Sequence, residues 1–148
     1  MFFKNSPGSI LVICLCRIGD ALLTTPLISS LKEKWPTTPI DALVFDDCAP
    51  ILQHNPDLRH IITILRNQSL PEKIQFLRRI RNRYDLAIST QSGDRPTFYA
   101  FIAGRKCIGP INQKAKGLPW KKLLLTETVD FDPTDTHTVV QNLKLAEK

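Results

Sequence analysis

The stretch that decides the fold is ILVICLCRIGDALLTTPLISSLKEKWP, residues 10–36. It opens on an unbroken apolar run, so that residues 9–16 predict a first strand buried on both faces. Leucines then recur at four-residue spacing up to Pro36, which predicts a helix over residues 20–35. A buried strand followed by such a helix is typical of an α/β domain with a parallel sheet.

Pro26 lies inside the predicted helix and allows two interpretations. The helix kinks at Pro26, or Thr25 caps a separate helix that begins there. Both interpretations stay open on the residues alone.

The alternation of strands and helices continues along the chain. Further strands are predicted at residues 40–45, 59–65, 84–90 and 106–109, and one around residues 123–126 inside a turn-rich basic segment. Helices are predicted at residues 70–83 and 95–103, with a short helix or turn at residues 47–54 and a last helix from about Thr136, capped by Asp135 or Thr136. This order predicts a Rossmann-like, doubly wound parallel sheet with helices on both faces. A length of 148 residues suits one domain over residues 1–148.

Composition and charge limit the class of protein. Hydrophobic residues make up 43% of the chain and charged residues 23%, as in ordinary soluble globular proteins. No apolar run is long enough to span a bilayer, and the N-terminus lacks the apolar core of a secretory signal, so we expect a cytoplasmic location. The net charge of +6 favours an anionic partner. Because no recognition-helix motif or aromatic RNA-binding pattern is present, that partner is not expected to be nucleic acid.

Four cysteines are present, and two of them stand close together in the first predicted strand. Cys14 and Cys16 are two residues apart, so their side chains should share one face. Neither they nor Cys48 and Cys107 belong to a C-x-x-C pair or a zinc-finger spacing, which speaks against a zinc site. We expect buried, reduced thiols and no metal.

Two loops are predicted to meet at one crevice. In a doubly wound sheet the first and fourth strands commonly lie side by side, and ligands bind outside their carboxyl ends. The loops there are RIGD, residues 17–20, and QSGDR, residues 91–95. Glycine admits a close ligand, arginine offers a fork for anions, and aspartate can accept a proton. No dinucleotide fingerprint or P-loop occurs, so the sequence does not predict a nucleotide site here.

Several of these residues also have purely structural interpretations. Asp20 could simply cap the helix, and Asp94 and Arg95 could cap and begin the next one. Arg17 could lie on the surface or pair with Asp20. His137 is expected to pack or cap at the last helix rather than to catalyse.

Residues 10–36 resemble the opening of the ADP-heptose:lipopolysaccharide heptosyltransferases, glycosyltransferase family 9. Members begin with an apolar strand, a short loop ending in Gly-Asp, and a helix containing leucine, threonine and proline. Three later segments agree in order, so that the resemblance spans essentially the whole chain: PDLRHIITI, YDLAISTQSGDRPTFYAFIAGRKCIG and HTVVQNLKLAE.

The resemblance implies the N-terminal lobe of a GT-B enzyme, in which two Rossmann-like lobes face each other across a cleft. This lobe would receive the lipopolysaccharide core or lipid A acceptor, and ADP-heptose would bind a C-terminal lobe that residues 1–148 do not contain. Heptose transfer to the inner core would invert the anomeric centre and would need no metal or other cofactor. Peripheral contact with the cytoplasmic face of the inner membrane is also expected, since lysines surround Trp120.

Carried over to this sequence, the resemblance makes Asp20 the general base that takes a proton from the acceptor hydroxyl. The remaining candidates are residues that would bind the acceptor: Arg17, Gly19, Thr24, Ser92, Gly93, Asp94, Arg95, Lys114 and Lys116. Cys14 departs from the family, because many members have a lysine at that place, and Arg17 is the candidate substitute. The alternative function is a non-catalytic module that binds a lipid-linked sugar or an anionic membrane, or a gene remnant without the donor lobe.

Overall fold

A parallel sheet flanked by helices organises the chain in the computed structural model, which describes residues 6–112, 119–130 and 137–147. The strands are β1 (Ile10–Cys14), β2 (Ile40–Phe45), β3 (His60–Ile64), β4 (Tyr84–Ser89), β5 (Gly104–Ile111) and β6 (Glu127–Asp130). The helices are α1 (Ile18–Leu22), α2 (Thr25–Lys34), α3 (Ala49–Leu52), α4 (Leu70–Ile80), α5 (Asp94–Ala103), α6 (Pro119–Leu124) and α7 (Thr138–Ala146), and a 3₁₀ turn spans Asp46–Cys48. Within these ranges, no helix combines the length and the apolar character that crossing a membrane requires.

The strand order is β3-β2-β1-β4-β5-β6, and every neighbouring pair is parallel. β1 lies between β2 and β4, with Cys14 opposite Val44 and Ile13 opposite Ser89. The order reverses between β1 and β4, which is the switch point of a doubly wound sheet. The predicted fold class and the pairing of the first and fourth strands are both confirmed.

The core has two layers because β1 sends alternate side chains to opposite faces of the sheet. Leu11 and Ile13 belong to the apolar cluster that also holds side chains of α4 and α5. Ile10 and Val12 belong to the other cluster, with the α2 leucines and Leu145 of α7. The last helix therefore packs against α2, where the Nζ of Lys34 also donates to the Ala146 carbonyl at 3.1 Å.

The helix predicted over residues 20–35 is two helices, α1 and α2. Pro26 has no N–H to donate to the carbonyl of Leu22, and the Thr25 hydroxyl donates to that carbonyl instead at 2.8 Å. The separate-helix interpretation is the better one, although the residue at the N-cap is Thr24 rather than Thr25.

The prediction of a strand around residues 123–126 is wrong. α6 ends at Leu124, and the edge strand β6 begins only at Glu127, where it pairs with Ile108 of β5. The leucine run suggested a buried strand, but the helix turns Leu123 to solvent while Leu125 packs in the core.

The last helix begins at Thr138, with His137 at its N-cap instead of Asp135 or Thr136, which lie outside the described residues. The Nδ1 of His137 accepts a hydrogen bond from the Val139 N–H at 3.3 Å. The expectation that His137 serves helix α7 is thereby confirmed.

Candidate functional site

A cavity of about 390 Å³ lies at the carboxyl ends of β1 and β4, and we name it the β1/β4 cavity. It is lined by Leu15, Cys16, Asp20, Thr24, Thr90, Gln91, Ser92, Gly93, Pro96, Thr138, Gln141 and Asn142. The loops after the first and fourth strands both contribute, as predicted from the topology rule. Helix α7 adds a third wall.

Hydrogen bonds fasten the two strand ends together at this cavity. The Oε1 of Gln91 accepts from the Leu15 N–H at 3.0 Å. The N–H and the hydroxyl of Thr90 both donate to the Ile13 carbonyl, at 3.0 and 3.1 Å. The cavity wall is therefore built on backbone that the sheet holds in place.

Asp20 is the third residue of α1, and the residue at the N-cap of that helix is Arg17. Its side chain is half-buried and faces the β1/β4 cavity. Among the described residues that line the cavity, Asp20 alone carries a charge. A carboxylate in this position can accept a proton or a hydrogen bond from a bound hydroxyl.

Three other predicted site residues, Thr24, Ser92 and Gly93, also line the cavity. The hydroxyl of Thr24 is buried and donates to the Ala21 carbonyl at 2.6 Å, which leaves its lone pairs for a further partner. The carbonyl of Ser92 accepts from the Nζ of Lys121 at 2.5 Å.

Four described residues that were predicted for the site lie outside the cavity lining: Arg17, Gly19, Asp94 and Arg95. Arg17 and Gly19 are exposed on the first loop, and the space beside Gly19 is open. Asp94 pairs with the Nζ of Lys121 at 2.6 Å, and the side chain of that lysine is 12% exposed. Lys114 and Lys116 lie outside the described residues.

Arg95, the fourth of them, points away from the cavity. Its guanidinium donates to the carbonyls of Leu65 and Arg66 and to the Oε1 of Gln68, at 3.2–3.4 Å. It also lies over the rings of Phe45 and Tyr99. In this structure Arg95 joins α5 to the loop that follows β3.

Three of the cysteines, Cys14, Cys16 and Cys48, lie close together beside the cavity. The Sγ atoms of Cys14 and Cys16 lie 2.9 Å apart, which confirms that the two side chains share a face. The hydrogen bond to Cys14, together with burial, raises the pKa of Cys16. Burial and the neighbouring Asp47 raise the pKa of Cys48 to about 11. Both groups are therefore protonated thiols at neutral pH, which does not suit a nucleophile.

The described cysteines are all free, with Cys16 partly exposed and the other three buried. The Sγ of Cys107 donates to the Leu124 carbonyl at 2.9 Å, on the α6 side of the sheet. Over the described ranges, no three His, Cys, Asp or Glu side chains are grouped closely enough to hold a metal ion.

Two cavity residues that the sequence did not single out are Gln141 and Asn142 on α7. Their side chains are 4% and 1% exposed, although both are polar amides. Their segment, HTVVQNLKLAE, contributes to the family resemblance, but no motif within it marks these two positions. The burial of two adjacent amides beside the exposed Val140 could be recognised only in the folded chain.

Comparison of the sequence finds relatives that are named as heptosyltransferases. The chain is 42% identical over 77 residues to lipopolysaccharide heptosyltransferase 3 of Escherichia coli, a match covering 48% of this chain and 23% of that protein. It is 32% identical over 97 residues to lipooligosaccharide heptosyltransferase 2 of Haemophilus ducreyi, a match covering 64% of this chain and 28% of that protein. No family model matches the chain.

Solved structures share the fold over nearly the whole chain. A family 9 glycosyltransferase from Veillonella parvula superposes with a TM-score of 0.79 at 18% identity, covering 95% of this chain and 40% of that structure. E. coli heptosyltransferase WaaC with ADP gives a TM-score of 0.75 at 18% identity, covering 93% of this chain and 46% of that structure. The chain thus spans less than half the length of these proteins. The resemblance inferred from the sequence is confirmed: the chain is similar to the lipopolysaccharide heptosyltransferases in sequence, and to family 9 glycosyltransferases of GT-B architecture in fold.

Proposed function

We propose that this chain is the acceptor-binding lobe of an inverting glycosyltransferase that transfers heptose from ADP-heptose to the lipopolysaccharide inner core. The observation that carries the proposal is Asp20, the one charged side chain in the described lining of a cavity at the switch point of the sheet. The names of the curated relatives, lipopolysaccharide and lipooligosaccharide heptosyltransferases, support the class of reaction.

The donor is assigned to a second lobe rather than to the β1/β4 cavity. A similar fold has been solved with ADP-2-deoxy-2-fluoro heptose, which supports an ADP-sugar donor. The described lining of this cavity includes no lysine or arginine that would neutralise a diphosphate. The acceptor is therefore the better occupant.

In the proposed reaction, Asp20 takes the proton of an acceptor hydroxyl while that oxygen attacks the anomeric carbon of the heptose. The bond between that carbon and the diphosphate oxygen breaks, and ADP leaves with the electron pair. Attack from the face opposite the leaving group inverts the anomeric centre. Thr24, Ser92 and Gly93 would hold the acceptor beside Asp20, and no step is assigned to a metal or other cofactor.

Asp20→Asn tests this proposal in the chain joined to its donor lobe. With ADP-heptose and a lipopolysaccharide acceptor, kcat should fall by about 10²–10⁴-fold, the usual contribution of a positioned base. Asp46→Asn, an exposed aspartate on the 3₁₀ turn, is the matched control and should leave the rate unchanged. Near-normal turnover by Asp20→Asn would show that Asp20 is not the general base.

Peripheral membrane contact on the cytoplasmic side belongs to the same proposal. Helix α4 turns Leu70 and Ile74 to solvent, 73% and 50% exposed. Arg78 lines one groove with both of these residues, and Arg81 and Phe101 line the next groove along the helix. We name these five residues the α4 surface. Exposed apolar side chains beside arginines suit an anionic leaflet, and this surface also favours the alternative of a non-catalytic membrane-binding module.

A further inference from the structure

Two amide oxygens on residues that line the β1/β4 cavity have no hydrogen-bond partner among the described residues. They are the Oε1 of Gln141 and the Oδ1 of Asn142, and both atoms are buried within the described part of the chain. Both side chains line the same cavity as Asp20. Because a buried acceptor without a donor is costly, two such acceptors on residues that line one cavity point to a ligand that supplies the donors.

The orientation of Asn142 is fixed by its other amide atom. The Nδ2 donates to the Leu23 carbonyl at 3.0 Å. Rotating the amide by half a turn would place Oδ1 against that carbonyl oxygen, so that two acceptors would face each other. The unpaired atom of Asn142 is therefore an acceptor, and a ligand that pairs with it must carry N–H or O–H groups.

The charge of the cavity further limits the chemical class of the ligand. Asp20 is negative, and the described lining offers no lysine, arginine or histidine. An ionised phosphate or carboxylate would bring only acceptors and negative charge to a half-buried site, which is unfavourable. A neutral sugar brings several hydroxyl donors.

We propose that Gln141 and Asn142 bind uncharged hydroxyls of the acceptor sugar, and that the cavity thereby selects a neutral sugar over a phosphorylated or carboxylated one. The inference rests on the proposed function, since it takes the β1/β4 cavity as the acceptor site.

Gln141→Met is the variant that tests the inference, because it keeps the side-chain length and removes the amide. NMR titration of the full chain with methyl heptopyranoside measures the Kd, which should be about tenfold higher in the variant than in wild type. Resistance to urea should stay equal or rise, since the variant no longer buries an unpaired acceptor. A merely structural role would lower stability and leave Kd unchanged. Asn142 is a poorer test, because its replacement also breaks the bond to Leu23.

Val140→Ala is the control on the same helix, since Val140 is 49% exposed and lies outside the cavity lining. It should leave Kd unchanged. The wild-type chain should bind methyl heptopyranoside more tightly than the phosphate ester of that sugar or methyl glucuronoside.

Equal or tighter binding of a charged sugar would overturn the inference. So would an unchanged Kd in Gln141→Met, or no binding of methyl heptopyranoside at any soluble concentration. The transfer assay of Asp20→Asn judges the proposed function separately. If Asp20→Asn loses the transfer activity while Gln141→Met keeps the wild-type Kd, the inference is wrong and the proposed function stands.

Discussion

At the residue scale, Asp41 shows how a carboxylate can be buried without serving the site. It stands in the otherwise apolar strand β2 and is 3% exposed. Arg59 donates to both of its oxygens at 2.9 and 2.7 Å, and the Tyr84 hydroxyl donates at 2.7 Å. Burial alone would raise the pKa of Asp41, but these hydrogen bonds outweigh burial and hold that pKa below its usual range. Because Asp41 is the second residue of its strand, it lies at the amino ends of the parallel strands, whereas the β1/β4 cavity lies at their carboxyl ends.

Asp41→Asn should lower the free energy of unfolding by about 2–3 kcal/mol near neutral pH, since it removes a buried, paired charge. The folded pKa is lower than the unfolded one, so the ionised group stabilises the fold above the unfolded pKa. That contribution disappears as pH falls through the folded pKa. Urea unfolding should show a constant gap between wild type and variant from pH 7 to about 5, and a shrinking gap below about pH 4.

Asp130→Asn, an exposed residue at the end of β6, should show no such gap. A wild-type advantage over Asp41→Asn that persists undiminished at pH 3 would contradict the assignment of this stability to the ionised carboxylate.

At the element scale, the existence of the helices was easier to predict than the faces they bury. In α7, Val140 is 49% exposed, while the amides Gln141 and Asn142 are buried. The rotation of α7 about its own axis follows from contacts with distant segments. Leu145 packs in the apolar cluster that contains the α2 leucines, and Asn142 donates to the Leu23 carbonyl. No local pattern records those contacts, so the sequence could not predict the third wall of the cavity.

The turn between α4 and β4 explains why the helix predicted over residues 70–83 ends at Ile80. Asn82 has a φ of 48°, in the left-handed region, and its N–H donates to the Ile102 carbonyl at 2.8 Å. A β-branched side chain is strained there, whereas glycine is not.

Asn82→Val should therefore lower the free energy of unfolding by about 1–2 kcal/mol, while Asn82→Gly should stay within about 0.5 kcal/mol of wild type. Urea denaturation of both variants measures the difference. Arg83→Val controls for placing valine in this turn, because the neighbouring residue has no positive φ. Equal stability of the two Asn82 variants would show that the backbone conformation there carries no strain.

At the scale of the whole molecule, the topology rule for doubly wound sheets was sufficient to bring the first and fourth loops together and to place Asp20 beside Ser92 and Gly93. It could not predict which side chains face the cavity. Arg95 belongs to the right loop, but carbonyls of the loop after β3 hold its guanidinium elsewhere. That contact spans about thirty residues of chain, so only the packed fold decides it.

The α4 surface leads to a prediction for the whole molecule. Arg78→Gln together with Arg81→Gln should weaken binding to phosphatidylglycerol-containing vesicles by about 2 kcal/mol, roughly thirtyfold, since each basic residue near an anionic surface contributes about 1 kcal/mol. Co-sedimentation measures the effect, and added salt should weaken wild-type binding because salt screens surface charge.

Ile74→Ser should also weaken binding by removing an apolar contact, whereas Ile51→Ser should not, because Ile51 is exposed on α3, outside the α4 surface. Binding to purely phosphatidylcholine vesicles should be weak, since they offer no net negative charge to the arginines. Equal sedimentation with both vesicle types, or wild-type binding by the double arginine variant, would exclude the α4 surface as the contact. The lipid part of the acceptor would then have to approach the β1/β4 cavity from another side of the molecule.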